Sequence, residues 1–166
     1  MKPFDSELTS ALRDLLAGRV CIVGVGNRQR GDDGAGPRVI EARCPETRGT
    51  WLDVGVAPEN FLEPIARTNP DTVLIVDAVN FGGSPGECRL MDVTAMHTIV
   101  VSTHAGSLSL VSDYLRARTG ARVNVIAIQP KTIAAREGLS QPVEESVREV
   151  TAMLSELLAF AGTQLK

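Results

Sequence analysis

The sequence is poor in aromatic residues, histidines and cysteines. Among these, the number and spacing of the cysteines say most about the class of protein and its compartment. Phe, Trp and Tyr together make up 4% of the 166 residues, and there are only 2 histidines and 3 cysteines. An odd number of widely spaced cysteines, with no CxxC pair, argues against a disulfide scaffold and is typical of a reducing compartment. We therefore expect a cytoplasmic protein in which Cys21 is a buried apolar side chain.

Long apolar runs and an excess of basic residues are absent as well. No apolar stretch approaches the roughly 20 residues of a membrane-spanning helix, and the first turns of the chain carry acids where a secretory signal would carry an apolar segment. The formal net charge is -3, unlike the basic surface of a typical nucleic-acid binder. We expect neither a membrane nor a nucleic acid among the partners.

What the sequence does contain is a regular alternation of buried strands and amphipathic helices. The length predicts a single domain, residues 1–166, with an extra N-terminal helix in residues 1–18 and a core in residues 19–160. The predicted strands are Arg19–Val25, Thr50–Val54, Thr72–Val76, Glu87–Met91 and Arg122–Ile128, with Thr98–Thr103 undecided between strand and loop. The predicted helices are Pro3–Ala17, Ala35–Arg43, Pro58–Arg67, Ser107–Arg118 and Pro142–Phe160. This order predicts a three-layer α/β/α sandwich with a mostly parallel sheet.

A glycine-rich turn follows the first strand, in the stretch VCIVGVGNRQRGDDGAGP. It places Asp32 and Asp33 between two glycines and directly before a predicted helix. One carboxylate there is explained by the helix dipole, but two in succession are explained less well. The turn does not complete a dinucleotide-binding fingerprint, because the position of the third glycine is Gln29.

Two further groups are predicted to lie at the same edge of the sheet as this acidic pair. Asp77 follows the third strand directly, and His104 stands between the Thr98–Thr103 segment and the start of a helix. Each has an ordinary structural explanation alone, a loop cap for the acid and a satisfied half-buried ring for the histidine. Because the carboxyl ends of parallel strands meet at one edge, two carboxylates and an imidazole together make a reasonable site for zinc or nickel. His97 lies away from any glycine turn, and we interpret it as structural.

Six motifs in order carry a resemblance to a known family. They are GVGNxxxxDDGAGP, VAPEN (Val56–Asn60), LIVDAxxxGxxPGE (Leu74–Glu87), STH (Ser102–His104) and IQP (Ile128–Pro130) followed by QPV. This ordered set resembles the maturation endopeptidases of nickel–iron hydrogenases, above all those that act on hydrogenase 3 of formate hydrogenlyase. The likeness runs from about Val20 to about Val150, whereas a GxGN turn alone would be unspecific.

The resemblance implies an α/β enzyme with a twisted sheet that removes a C-terminal peptide from a hydrogenase large-subunit precursor after nickel insertion. Such enzymes are often classed as aspartic-type. Asp33, Asp77 and His104 match the family's catalytic and metal-contacting positions, which leaves Asp32 to shape the loop or cap the helix. The nickel is carried by the precursor, so we expect no permanent cofactor, and we expect a monomer.

Several alternatives remain open at the level of sequence. A non-proteolytic nickel-checking chaperone would need the same three side chains, and a peptidyl-tRNA-hydrolase-like enzyme has a similar early GxGN turn, although the acidic composition disfavours it. The attacking water is activated either by the metal or by an aspartate.

Two further hypotheses concern the loops around the site. Arg28, Arg30, Lys131 and Arg136 are expected to border it, where they either contact the precursor or are ordinary solvated charges. Gly24 and Gly26 are interpreted as clearance for the metal site of a protein substrate.

Overall fold

A five-stranded sheet forms the centre of the computed structural model, which describes residues 5–96 and 104–159. The strand order is β2-β1-β3-β5-β4, and all neighbouring pairs are parallel except the antiparallel pair of β4 and β5. The strands are β1 (Val20–Val25), β2 (Thr50–Gly55), β3 (Thr72–Ala78), β4 (Cys88–Asp92) and β5 (Arg122–Ile128). The predicted class of a mostly parallel α/β fold is thereby confirmed, and β4 lies at one edge of the sheet.

Five α-helices lie wholly within the described ranges and cover both faces of this sheet. They are α1 (Ser6–Leu15), α2 (Ala35–Ala42), α3 (Leu62–Arg67), α4 (Ala105–Thr119) and α5 (Gln141–Leu157). Short 3₁₀ turns precede α2 and α3, at Gly31–Gly34 and Pro58–Phe61. None of the helices in residues 5–96 and 104–159 combines the length and the apolar content needed to cross a membrane.

Alternation along the strands divides the core into two halves. Successive side chains of a strand point to opposite faces, so Ile22 packs beneath α1, α2 and α5, whereas Val23 packs beneath α3 and α4. The central strands β1 and β3 are buried along their whole length, as expected of parallel strands that are covered on both faces.

The N-terminal helix α1 is part of this core rather than an appendage to it. The Asp5 side chain caps the helix by accepting a 2.8 Å hydrogen bond from the Leu8 amide. Leu12 of α1 and Leu16, the residue directly after the helix, are 0% and 1% exposed, and a fully buried leucine contributes roughly 1.5–3 kcal/mol. Two such residues make α1 a substantial contributor to stability.

Two predicted boundaries need correction. The third strand does not end before Asp77 but continues to Ala78, because β5 still pairs with it there: Asp77 is opposite Ala127, whereas the pairing with β1 ends at Val76. The predicted helix Pro58–Arg67 is a 3₁₀ turn followed by the short α3. Four other predictions lie partly or wholly outside the described residues: those for His97, for the Thr98–Thr103 segment, and for the helix ends at Pro3 and Phe160.

The order of the strands creates a switch point between β1 and β3. The chain leaves β1 through α2 on one face to reach β2, and it returns through α3 on the other face to reach β3. In open parallel sheets of this kind, the crevice at the carboxyl ends of the two strands is the usual binding site.

Candidate functional site

Asp33 is presented by the 3₁₀ turn that follows β1. The Asn27 amide donates a 3.0 Å hydrogen bond to one carboxylate oxygen, Oδ2, and the Asp33 amide donates to the Arg30 carbonyl oxygen at 3.2 Å. These contacts leave the second oxygen, Oδ1, directed toward His104. The turn therefore buries the carboxylate, which is 3% exposed, and fixes its orientation.

Asp77 reaches the same crevice from the last residues of β3. It shares the strand face of Val73 and Ile75, which is the face covered by α3 and α4. The pairing of β3 with β1 ends one residue earlier, at Val76. Asp77 therefore lies at the crevice between the ends of the two strands. It is 0% exposed.

His104 is the residue that precedes the first turn of α4, and its carbonyl oxygen accepts a 2.9 Å hydrogen bond from the Leu108 amide. The ring is buried, at 8% exposure for the residue. The Asp33 carboxylate beside it raises the pKa of His104 above its ordinary value, against the opposing effect of burial, and the charges of Asp77 and Glu59 add to the rise. When the pH falls through that raised pKa, the ring takes up a proton and can no longer donate a lone pair to a metal ion.

The three side chains meet in one cluster. One ligand atom from each of Asp33, Asp77 and His104 lies within 4.8 Å of the others, and all three residues are buried. His104 Nε2 and Asp33 Oδ1 are 3.7 Å apart, too far for a direct hydrogen bond of normal length. The spatial convergence that the strand-end argument predicts is therefore present in the structure.

This donor set is suited to a borderline divalent ion. Two carboxylate oxygens and an imidazole nitrogen are ligands that zinc and nickel accept. Three protein donors also leave coordination positions for groups supplied by another molecule. The same carboxylates can instead accept a proton from water, because a positioned carboxylate is a common general base.

Asp32 has a different role from its neighbour. Its fully buried carboxylate accepts hydrogen bonds from the amides of Lys131, Thr132 and Ser140 at 2.8, 3.1 and 2.7 Å, and from the Ser140 hydroxyl at 2.8 Å. These bonds attach the loop between β5 and α5 to the acidic turn. Asp32 is predicted to shape its own loop or to cap the following helix. The loop that it holds is instead the one after β5, and among the described residues no side chain caps α2.

Gln129, a residue with no predicted role, organises the neighbouring loop. Its side-chain oxygen accepts hydrogen bonds from the amides of Phe81 and Gly83 at 2.9 and 3.1 Å, and its amide nitrogen donates to Asn80 Oδ1 at 3.1 Å. The only sequence signal was its place in the IQP motif. Gln129 thus fixes the chain that follows β3 and Asp77.

Arg28 is one of the basic residues expected either to contact the precursor or to be a solvated charge, and the structure shows it engaged within the molecule. Its guanidinium group forms ion pairs with Glu41 at 2.6 Å and with Asp53 at 3.0 Å. The two pairs connect the glycine turn to α2 and β2. Arg28 is therefore a bridge within the molecule.

The family model for HycI, hydrogenase maturation protease, matches residues 40–157 of the chain, which is more than half of its length. The matched segment contains Asp77 and His104. Asp33 lies before it, so the placement of Asp33 rests on the geometry described above.

Characterised relatives and solved structures agree with this match. The hydrogenase 3 maturation protease of Escherichia coli K12 is 36% identical over 129 residues, which cover 76% of this chain and 82% of that protein. The crystal structure of a [NiFe] hydrogenase maturation protease HycI from Thermococcus kodakarensis has a TM-score of 0.79 at 33% identity, covering 89% of this chain and 98% of that one. The solution structure of the endopeptidase HycI from Escherichia coli has a TM-score of 0.73 at 31% identity, covering 84% and 90%.

The fold, the buried donor set and these relatives define the protein as an α/β peptidase. The chain belongs to the hydrogenase maturation protease family. This membership sets aside the peptidyl-tRNA-hydrolase-like alternative that the GxGN turn had left open.

Proposed function

We propose that the protein is an endopeptidase that removes the C-terminal peptide of a nickel–iron hydrogenase large-subunit precursor after nickel insertion. Its family supports a proteolytic role in hydrogenase maturation. The observation that carries the finer proposal is the buried convergence of Asp33, Asp77 and His104 within 4.8 Å. In this proposal the three side chains recognise nickel that the precursor already holds.

The nickel is therefore part of the substrate and not a resident cofactor. Cysteine thiolates of a precursor are soft ligands suited to nickel, and the oxygen and nitrogen donors of the protease would complete the coordination of the ion. The described cluster contains no cysteine of its own. Recognition would then depend on metal loading, because an unloaded precursor offers nothing for the three donors to bind.

The chemical step is hydrolysis of one peptide bond by one water molecule. The water oxygen attacks the scissile carbonyl carbon while a proton passes to a carboxylate, and that proton then goes to the leaving amine as the C–N bond breaks. Asp33 Oδ1 is suited to this task, since Asn27 holds the other oxygen of the same carboxylate. Nickel bound by the substrate would acidify the water, and the site accommodates activation by the ion and by the aspartate alike.

The test is cleavage of nickel-loaded precursor by Asp33→Asn, Asp77→Asn and His104→Ala. We expect each variant to fold and to lose at least about 100-fold of the cleavage rate, the usual scale for a positioned acid or base. Asp113→Asn, an exposed carboxylate on α4, is the matched control and should cleave normally. Peptide release is followed by mass spectrometry and folding by circular dichroism.

Three outcomes would overturn this proposal. Full processing by His104→Ala would remove the histidine from the reaction. Tight binding of nickel-loaded precursor by the wild type without any peptide release would instead favour the non-proteolytic nickel-checking chaperone. Nickel-free precursor should remain uncut by the wild type, and its cleavage at an equal rate would contradict recognition through the metal.

A further inference from the structure

A second loop lies directly against the acidic turn. The Gly31 amide donates to the Arg136 carbonyl oxygen at 2.9 Å, the Arg136 amide donates to the Gln29 carbonyl oxygen at 3.0 Å, and the Asp32 amide donates to the Thr132 carbonyl oxygen at 3.0 Å. Residues 30 and 136 form an isolated parallel β-bridge. The loop of residues 131–139 is thus fixed beside the turn that presents Asp33.

The Asp32 carboxylate holds the two ends of this loop. It accepts hydrogen bonds from Lys131 and Thr132 at the start and from Ser140 at the end. Hydrogen bonds to a buried charged group are strong, and breaking one leaves the charge without a partner. These bonds therefore hold both ends of the loop in place. The backbone positions of the charged residues that it carries are therefore fixed next to the acidic turn.

Three basic side chains project from these two segments, and we call them the basic rim: Arg30, Lys131 and Arg136. All three residues are exposed, and in residues 5–96 and 104–159 no acidic side chain forms an ion pair with any of them. Arg28, by contrast, forms ion pairs with two acidic side chains of the same chain. Within residues 131–139 the only acid is Glu137, so this loop carries two basic side chains and one acidic one. The two acids of the neighbouring turn, Asp32 and Asp33, are buried, whereas the three basic residues of the rim are exposed.

We propose that the basic rim binds carboxylate groups of the precursor's C-terminal segment and thereby delivers that segment to Asp33. This inference rests on the proposed function. Arginine presents a planar fork that matches a carboxylate, and a cleaved C-terminal segment brings at least one such group, its own terminus. Acidic side chains in the segment are the other source of the same chemistry.

The first test compares two charge reversals of equal size. Arg30→Glu/Arg136→Glu changes the rim, and Arg13→Glu/Arg148→Glu changes two exposed arginines on α1 and α5. With nickel-loaded precursor we expect the rim variant to lose about 10-fold or more in kcat/KM, chiefly through KM, and the control to keep the wild-type value. The difference in kcat/KM between the rim variant and the control should become smaller as ionic strength rises from about 0.03 to about 0.5 M, because salt screens exposed charges.

The second test identifies the source of the carboxylate. One precursor is prepared by ligation with an amidated C-terminus, and another has the acidic residues of its C-terminal segment replaced by amides. Whichever change removes the difference between the wild type and the rim variant marks the carboxylate that the rim binds. If both precursors preserve the full difference, carboxylate recognition is overturned.

Failure of this inference is distinguishable from failure of the proposed function. Wild-type cleavage with equal kcat/KM for the rim variant and its control would overturn the inference and leave the proteolytic function intact. Binding of the precursor that the rim reversal weakens, without cleavage by any form, would support the rim and overturn the proteolysis. Absence of both binding and cleavage by the wild type would overturn both.

Discussion

At the scale of single residues, two adjacent aspartates with the same chemistry have opposite surroundings. Asp32 is enclosed by donors from the loop after β5, and Asp33 faces His104 across the crevice. Three backbone amides and a hydroxyl occupy the oxygens of the first carboxylate, whereas one oxygen of the second faces a histidine and is placed for an incoming group. The pair therefore divides into a residue that positions the loops and a residue that is placed for chemistry.

This division predicts the effect of Asp32→Asn. The amide keeps the size of the side chain but loses the charge and turns one acceptor into a donor that faces other donors. Because a buried unsatisfied polar group costs about 1–3 kcal/mol, we expect the free energy of unfolding to fall by at least that amount. Urea denaturation followed by circular dichroism measures it.

Asp92→Asn is the matched control for this prediction. Asp92 also accepts hydrogen bonds, from the Thr94 amide and hydroxyl and from Arg116, but the residue is exposed. Water can replace such bonds, and we expect a loss below about 1 kcal/mol. Equal losses in the two variants would show that burial of Asp32 adds nothing.

At the scale of elements, the glycines around the β1 turn serve the packing of α2 against the sheet. A Cβ on Gly26 would lie 1.8 Å from the Asp33 carbonyl oxygen, at a φ of +144°. The expectation that Gly24 and Gly26 clear space for a substrate is therefore wrong. Gly26 makes room for the chain's own acidic turn, and Gly24 for Gly36 and Ile40 of α2.

Gly36→Ala tests this close approach. A Cβ on Gly36 would lie 2.3 Å from the Val76 carbonyl oxygen and 2.4 Å from that of Val25, so α2 would have to move away from both strands. We expect a loss of about 1–3 kcal/mol, the usual cost of overpacking. Gly106→Ala in the first turn of α4 meets no atom within 4 Å, and it should stabilise the helix slightly. Thermal unfolding measures the stability of both variants. A Gly36→Ala protein as stable as the wild type would contradict the close approach of α2 to the two strands.

At the scale of the whole molecule, two cores on opposite faces of one sheet predict a single cooperative unit. Cys21 belongs to the core beneath α3 and α4, and Cys88 to the core beneath α1, α2 and α5. Burial raises the pKa of Cys21 to about 11 and that of Cys88 to about 12. Both thiols therefore stay protonated and unreactive in the folded protein near neutral pH.

Thiol labelling measures whether the two cores open together. At pH 8 we expect Cys44, which is exposed, to react at once, and Cys21 and Cys88 to react only through global unfolding, with equal free energies of opening. Unequal free energies of opening would divide the chain into separate cooperative units.

The same pKa shifts predict how stability depends on pH. The thiols ionise near 9.0 in the unfolded chain and only near 11 and 12 in the folded protein, so the free energy of unfolding falls as the pH rises above about 9.0.

The sequence by itself determined the alternation of elements and the three residues that converge. Hydrophobic period and turn residues are local properties, and the rule that parallel strands end at one edge selected Asp33, Asp77 and His104 together with the family likeness. No long-range contact had to be known for this step. The same local signals placed the end of β3 too early, because its continuation depends on pairing with β5.

Only the tertiary structure decided what each neighbour of the site does. The bond between the Ser140 amide and Asp32 joins residues separated by 108 positions, and the ion pair of Arg28 with Asp53 joins two different strand ends. No periodicity or motif encodes such pairs, since they arise when the topology brings distant loops together. Contacts of this kind give Asp32 its partners in the loop after β5, pair Arg28 with Glu41 and Asp53 and place the basic rim beside the site.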